Sequence, residues 1–246
     1  MDKTLKAVLE WWEVAGVDTP VIAPARRSAA PTPKAKPEQP LTPEPTPALS
    51  SESLSDIKSL EELRKAIASF DAGEISDHAR QAVISRGNSD ADIMVIGEAP
   101  GRDEDIQGKP FVGRSGQLLD KIFASIGLNE DTLYITNVVY WRPPGNRNPT
   151  PEELVKCLPF TQKQIELINP KIIILVGGVS FNALTGKSGI MKNRGQWISL
   201  SANDRDIPTL PIYHPAFLLR QPALKKDAWR DMLSLREKIE ALNAAS

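Results

Sequence analysis

The chain has 246 residues, and its 30 Lys and Arg residues nearly balance its 31 Asp and Glu residues, which excludes a broadly basic nucleic-acid-coating protein but not a local basic site. One cysteine excludes an internal disulfide, and two histidines leave little material for a zinc site. No apolar run approaches the roughly 20 residues that span a bilayer, and no secretory signal is visible, so we expect a cytoplasmic protein (bacterial-type cytosol or nucleoid) without a membrane partner.

The first part of the chain predicts a helix followed by a linker. Leu5, Val8, Leu9 and Trp12 follow the spacing of one helix face, which predicts an amphipathic helix within residues 1–17. This helix either docks on its own domain or binds a groove of a protein partner, and both alternatives stay open here. Residues 18–54 are rich in proline and poor in bulky apolar residues, which predicts a disordered linker.

Residues 55–246 predict one domain in which strands and helices alternate. Four apolar runs predict buried strands: Ile93–Gly97, Leu133–Val139, Ile172–Gly177 and Leu210–Tyr213. Helices are predicted over Ser115–Ile126, from the capping box at Thr150 to Ile168 with a kink at Pro159, and over Lys225–Leu242. This order predicts an α/β fold, a three-layer α/β/α sandwich around a central, mostly parallel four-stranded sheet.

Polar segments follow three of the predicted strands. Gly97–Gly101 and an acidic run follow the first, Asn137 ends the second, and His214 follows the fourth. Taken singly, each has a structural alternative: a glycine turn, solvated acids, a strand-end cap, a core phenylalanine at Phe111 or a structural histidine. Because the carboxyl ends of parallel strands meet at one sheet edge, the segments together predict a pocket with catalytic groups.

These segments also resemble the motifs of a known family. Gly97-Glu98-Ala99-Pro100-Gly101, with Glu104-Asp105 and Gly108–Gly113 after it, is similar to the first motif of family-4 uracil-DNA glycosylases. The central motif of that family is similar to Ile135–Val138 with Arg142–Arg147, and the last motif to Tyr213–Ala216 with Leu218-Leu219-Arg220. The resemblance spans residues 60–243 approximately, in the same order and with comparable spacing.

The chain departs from that family at its cysteines. The resemblance implies an iron–sulfur cluster on four cysteines, but residues 55–96 contain none. Trp141 stands at the third ligand position, and Cys157 alone remains, at the fourth. We therefore expect no cofactor and no metal site. We also expect Trp141 and Phe70 to fill the vacated space and Cys157 to be an inert, buried helix residue.

The resemblance implies a uracil pocket and a hydrolytic reaction on a flipped base. Phe111 would stack on the base, Asn137 would match its O4 and N3–H, and a neutral His214 would stabilise the departing anion. The expected pocket residues are Gly97, Glu98, Ala99, Phe111, Asn137 and His214. The expected catalytic residues are His214, Asn146, Glu98 and Glu104, with the residue that activates water left open and Glu104 also close to the base C5 position.

Basic and apolar residues near the strand ends are expected to contact DNA. They are Arg142, Arg147, Lys192, Arg194, Leu218 and Arg220, with core packing an equal alternative for Leu218. The expected partners are uracil-containing DNA, the abasic product and a protein recruited through residues 1–54. We expect a monomer. A non-catalytic binder of uracil-containing or abasic DNA and a repair-complex interaction module are the alternatives.

Overall fold

The computed structural model describes residues 54–244. The predicted N-terminal helix and all but the last residue of the predicted linker therefore lie outside the described residues. The helices of this part are α1 (Leu60–Ala68), α2 (Glu74–His78), α3 (Arg102–Gln107), α4 (Arg114–Ala124), α5 (Pro151–Ile168), α6 (Gly178–Thr185), α7 (Ile190–Asn193), α8 (Pro215–Arg220) and α9 (Lys225–Ala244). The strands are β1 (Ser85–Gly87), β2 (Ile93–Gly97), β3 (Leu133–Asn137), β4 (Ile172–Val176), β5 (Ile198–Ala202) and β6 (Arg205–Ile212). Short 3-10 helices cover Pro144–Asn146 and Pro222–Leu224. None of the helices within these residues is long and apolar enough to cross a membrane.

The strands form one mixed sheet in the order β1-β3-β2-β4-β6-β5. The four central strands are parallel, as the sequence predicts, and β1 and β5 add an antiparallel strand at each edge. The expected number of four strands is therefore wrong, and the sheet has six. Ser85-Arg86-Gly87 carries no apolar run, so periodicity gives no signal for β1. Ile198–Ala202 is half-buried with alternating exposure, the pattern of an edge strand.

Helices cover both faces of the sheet, because successive strand residues point in opposite directions. On one face Val95 of β2 belongs to a buried cluster with Ile122 of α4 and Met232 of α9. On the other face Met94 belongs to a second cluster with Phe160 of α5. The α/β/α layering predicted from the sequence is thus the layering of the described part.

Local sequence signals set the helix ends. Thr150 and Glu153 form a capping box at the start of α5, with Pro151 at the first helical position. The helix continues through Pro159 to Ile168. The four parallel strands end at one edge of the sheet, where Gly97 of β2 lies opposite Asn137 of β3. The Gly177 N–H donates to the carbonyl of Ile212, which brings the loops after β4 and β6 to the same edge.

Candidate functional site

A cleft of about 860 Å³ opens at the carboxyl ends of the parallel strands. It brings together most of the residues singled out in the sequence, which come from segments far apart in the chain: Glu98, Ala99, Glu104, Phe111, Asn137, Asn146, Arg147, His214 and Arg220. Gly97 lies beneath this set rather than on its surface. Arg142, Lys192, Arg194 and Leu218 do not line the cleft.

Phe111 and Asn137 form the inner end of the cleft, above Gly97. A Cβ atom on Gly97 would overlap both the Asn137 Oδ1 atom and the Phe111 ring, so only glycine permits this approach. Asn137 is buried, yet its amide lines the cleft and makes no hydrogen bond with any residue between 54 and 244. The cleft therefore presents an unused donor and acceptor side by side, next to an aromatic ring.

The backbone of Phe111 is held in the left-handed region, with φ of 54°. That conformation is costly for a bulky residue and persists only where neighbouring groups fix it. The Nε atom of Arg86 donates to the carbonyl of Pro110 at 2.9 Å, and a Cβ on Gly116 would overlap the Phe111 backbone. The ring is thus fixed in place by its loop before any ligand arrives.

Glu104 fixes the same loop from the other side. Its Oε1 atom accepts from the N–H groups of Val112 at 3.0 Å and Gly113 at 2.8 Å, and its Oε2 atom accepts from Gly101 at 3.1 Å. The carboxylate therefore joins the turn after β2 to the loop that carries Phe111. Both oxygens are engaged by backbone donors, which fits a positioning role better than proton transfer to water.

His214 stands at the N-cap of α8 and contributes its ring to the cleft wall. Its Nδ1 atom accepts from the Ala216 N–H at 3.1 Å, so the proton of a neutral ring resides on Nε2. Burial, and next the charge of Arg220, lower the pKa of His214 from 6.5 to about 4. The ring centroid lies 6.0 Å from that of Phe111. His214 is therefore a neutral hydrogen-bond donor at neutral pH.

Glu98 supplies a carboxylate to the cleft. Burial raises the pKa of this group, and no residue between 54 and 244 donates a hydrogen bond to its side chain. An unpaired carboxylate of raised pKa in a cleft is a candidate proton acceptor or a source of negative charge beside a developing cation.

The loop after β3 adds Asn146 and two arginines. The Asn146 Oδ1 atom accepts from Arg142 Nε at 2.7 Å. Arg147 makes two hydrogen bonds to the Glu153 carboxylate, at 2.7 and 2.8 Å, while remaining exposed on the cleft. The hydrogen bonds from Arg147 lower the pKa of Glu153. Arg220 is exposed on the cleft rim.

The other expected DNA contacts lie elsewhere. Lys192 is exposed on α7, and Arg194 is partly buried, paired with Asp231 and placed over the Tyr213 ring. Leu218 is 1% exposed and belongs to the core cluster that also contains residues of α4, which favours the core-packing alternative, and its DNA contact stays a prediction.

The cleft also contains residues that the sequence analysis did not single out. Arg102 and Arg114 begin α3 and α4 at its rim, and Gly178 and Val179 follow β4. The strand-end argument, applied to the third predicted strand as well as the other three, identifies Gly178 and Val179. The two arginines had a weaker signal, since each is the first residue of a helix after a glycine.

Comparisons with known proteins agree with this geometry. Residues 84–233 match the family model described as the uracil DNA glycosylase superfamily. The chain is 37% identical over 186 residues to a type-4 uracil-DNA glycosylase of Archaeoglobus fulgidus, covering 74% of this chain and 94% of that protein. It is 44% identical over 140 residues to the type-4 enzyme of Thermotoga maritima, covering 56% and 71%. A type-5 uracil-DNA glycosylase of Thermus thermophilus is 30% identical over 122 residues, covering 44% and 55%.

Proposed function

The chain belongs to the uracil DNA glycosylase superfamily and is a uracil-DNA glycosylase of DNA repair, and we propose that the cleft described above performs the excision. The reaction is hydrolysis of the N-glycosidic bond of uracil, which leaves an abasic site in DNA. One observation gives this assignment of the cleft its strongest support. The buried Asn137 amide lines the cleft without a hydrogen-bond partner among residues 54–244, as a base-reading group requires.

Base recognition follows from the inner end of the cleft. A base rotated out of the helix stacks on Phe111, whose loop is already fixed. The amide N–H of Asn137 donates to uracil O4, and its Oδ1 atom accepts from N3–H. Cytosine presents the opposite pattern on that edge, so the same amide disfavours it. Glu104 keeps the Phe111 loop and the Gly97–Gly101 turn in register around the base.

His214 stabilises the leaving group. Negative charge accumulates on uracil O2 as the glycosidic bond lengthens, and the Nε2–H of the neutral ring donates to that oxygen. A protonated ring would also donate, but the pKa of about 4 keeps the ring neutral at physiological pH. Because Nδ1 is held by the Ala216 N–H, the tautomer and ring orientation are set in advance.

Asn146 and Glu98 act on the water and on the sugar. Positive charge develops on the sugar ring in an oxocarbenium-like transition state, and the Glu98 carboxylate stabilises it. Asn146 holds the attacking water through its amide, and Glu98 accepts the proton that the water loses. Arg147 and Arg220 contact DNA phosphates at the cleft rim, which makes the affinity for DNA salt-dependent.

The chain works without an iron–sulfur cluster in this proposal. The residues around Cys157 do not suit such a group: the ring of Phe70 lies 6.2 Å from Trp141 and 5.0 Å from Phe160, between centroids, in the cluster that contains Cys157. Burial raises the pKa of the Cys157 thiol to about 12, which disfavours the thiolate that a metal requires. The aromatic side chains supply the packing at this place.

The remaining assignments concern the surroundings of the enzyme. It acts in the cytoplasm. It acts as a monomer, since one base-binding cleft contains all the groups that the reaction needs. The product is abasic DNA, and residues 1–54 offer an attachment site for a protein partner.

A nicking assay tests the proposed function. The protein is incubated with oligonucleotides of one sequence that contain uracil, thymine or cytosine at a single position, and the products are treated with alkali. Strand scission at uracil alone is the expected result. Binding to the uracil oligonucleotide without scission would refute the proposed excision and favour the alternative function, a non-catalytic binder of uracil-containing DNA.

A further inference from the structure

We propose that Arg142 is a positioning residue, which sets the orientation of the Asn146 amide, and not a contact to DNA. The proposal rests on the proposed function, in which Asn146 holds the attacking water. Arg142 lies behind Asn146 rather than on the cleft: its side chain is 22% exposed, and it does not line the cleft wall. Its Nε atom donates to Asn146 Oδ1 at 2.7 Å.

Asn146 needs such a partner because nothing else in the described part fixes its side chain. The residue is exposed and has a left-handed backbone, with φ of 55°, directly after Gly145 at φ of 64°. An exposed asparagine side chain without a partner samples several rotamers, and the two ends of its amide interchange by a 180° rotation. The hydrogen bond from Arg142 selects one of these arrangements.

The selected arrangement decides what the cleft offers to water. With Oδ1 held by Arg142, the Nδ2 amino group and its two N–H donors become the end that faces away from the arginine. A donor holds a water molecule through one lone pair and leaves the other for attack. A rotated amide would instead present an acceptor that engages one of the two water protons. The other proton would still be available to Glu98, but the donor that fixes the water oxygen would be lost.

A buried carboxylate holds Arg142 from the opposite side. The Nη1 atom of Arg142 lies 3.9 Å from Asp105 Oδ2, and the Asp105 side chain is 5% exposed. The Oδ1 atom of Asp105 accepts from the Arg80 N–H at 2.8 Å, just after α2. One guanidinium thus links α3 to the loop after β3, using two nitrogens that point in different directions. A lysine has one nitrogen and cannot reproduce both contacts.

Arg142→Lys is the test, with Arg102→Ala as the comparison. Arg102 is an exposed guanidinium on the cleft rim that makes no hydrogen bond with residues 54–244, so its loss reports on phosphate contact. Single-turnover excision at saturating enzyme and DNA affinity at several salt concentrations are measured for both variants. Arg142→Lys is expected to lose about 10²-fold in rate, the scale of a small misplacement, with unchanged affinity and salt slope. Arg102→Ala is expected to lower the affinity and the salt slope with little change in rate.

A double-mutant cycle with Asn146→Ala separates positioning from an independent effect. If Arg142 acts through Asn146, the double variant is no slower than Asn146→Ala. Losses that multiply would overturn the proposal, as would a wild-type rate in Asn146→Ala. Because lysine keeps the positive charge, Arg142→Ala is measured beside it. A weaker and less salt-dependent affinity in Arg142→Ala, with the wild-type rate kept in Arg142→Lys, would make Arg142 a phosphate contact after all.

Two further measurements keep the proposal separate from folding and from the proposed function. Asp105→Asn keeps an acceptor for the Arg80 N–H and removes the charge that faces Arg142. It should therefore also lower the excision rate, and it takes the place of Arg142→Lys as the test if that variant does not fold. The NMR signal of the Asn146 side-chain amide should shift and broaden in Arg142→Lys, whether or not the protein excises uracil. An unchanged signal would refute the positioning role, and a wild-type protein inactive on uracil would refute only the function.

Discussion

Replacing His214 tests the leaving-group step most directly, because the side chain has two separable tasks. Its ring lines the cleft, where we propose that Nε2–H donates to uracil, and its Nδ1 atom caps α8 through the Ala216 N–H. His214→Ala removes both. His214→Ser removes the donor to uracil but restores a good N-cap, since a serine oxygen accepts from the same turn of backbone.

The two tasks differ in the quantity that they change. Losing one transition-state donor costs about 10²–10³ in rate, or about 2.7–4 kcal/mol of transition-state stabilisation. Losing a helix cap costs about 0.5–2 kcal/mol of folding stability and no catalysis. We therefore expect both variants to excise uracil about 10²–10³ times more slowly, and only His214→Ala to unfold at a lower temperature. DNA affinity should stay close to that of the wild type, because O2 gains charge only in the transition state.

Single-turnover excision, fluorescence anisotropy and thermal unfolding measure these three quantities. A wild-type rate in either variant would refute the role of His214, and equal losses of affinity and rate would make it a structural histidine.

The pH dependence gives an independent check of His214. The pKa falls from 6.5 to about 4 on folding, so the unfolded chain binds the proton first as the pH drops. The stability contribution of the neutral ring is present above pH 6.5 and is lost as the pH falls towards 4. The free energy of unfolding is measured between pH 4 and 6.5 for the wild type and for His214→Ser. An equally steep pH dependence in both proteins would contradict the lowered pKa of His214.

The remaining predictions concern recognition, packing and the N-terminal segment. Asn137→Asp should abolish uracil excision and shift any residual activity towards cytosine, because a carboxylate then faces uracil O4; full activity on uracil would show that another group reads the base. Gly97→Ala should lower the single-turnover rate about 10²-fold, since the new Cβ displaces Phe111 and the Asn137 amide, and an unchanged rate would mean that the cleft tolerates that displacement. The purified protein should contain almost no iron, and Cys157 should react with a thiol reagent only after unfolding; stoichiometric iron and sulfide would disprove the first part and rapid native labelling the second. Limited proteolysis should cut within residues 18–54 and leave a fragment beginning near Ser55 that still excises uracil from oligonucleotides, and an inactive fragment would rule out a linker role.

Sequence periodicity determined the layered fold because buried strands and amphipathic helices have different repeats. The apolar runs at Ile93–Gly97 and Ile172–Val176 are short, rich in β-branched residues and bounded by turn residues, which predicts buried parallel strands between two helical layers, and both are strands in the structure. The edge strands escaped this argument. An edge strand buries only one face and pairs on one side, so Ser85–Gly87 carries almost no pattern of its own.

The sequence also determined which strand-end residues meet in the site, but not which basic residues line it, nor what each residue does there. Strand ends at Gly97, Asn137 and His214 must converge, since parallel strands end at one edge of a sheet. Their roles depend on contacts across the fold. Only the tertiary structure shows that both carboxylate oxygens of Glu104 accept hydrogen bonds, from three backbone N–H groups in all. It also shows that Arg142 donates to Asn146. Hydrogen bonds and desolvation are set by neighbours distant in the chain, and these neighbours have no trace in local sequence pattern.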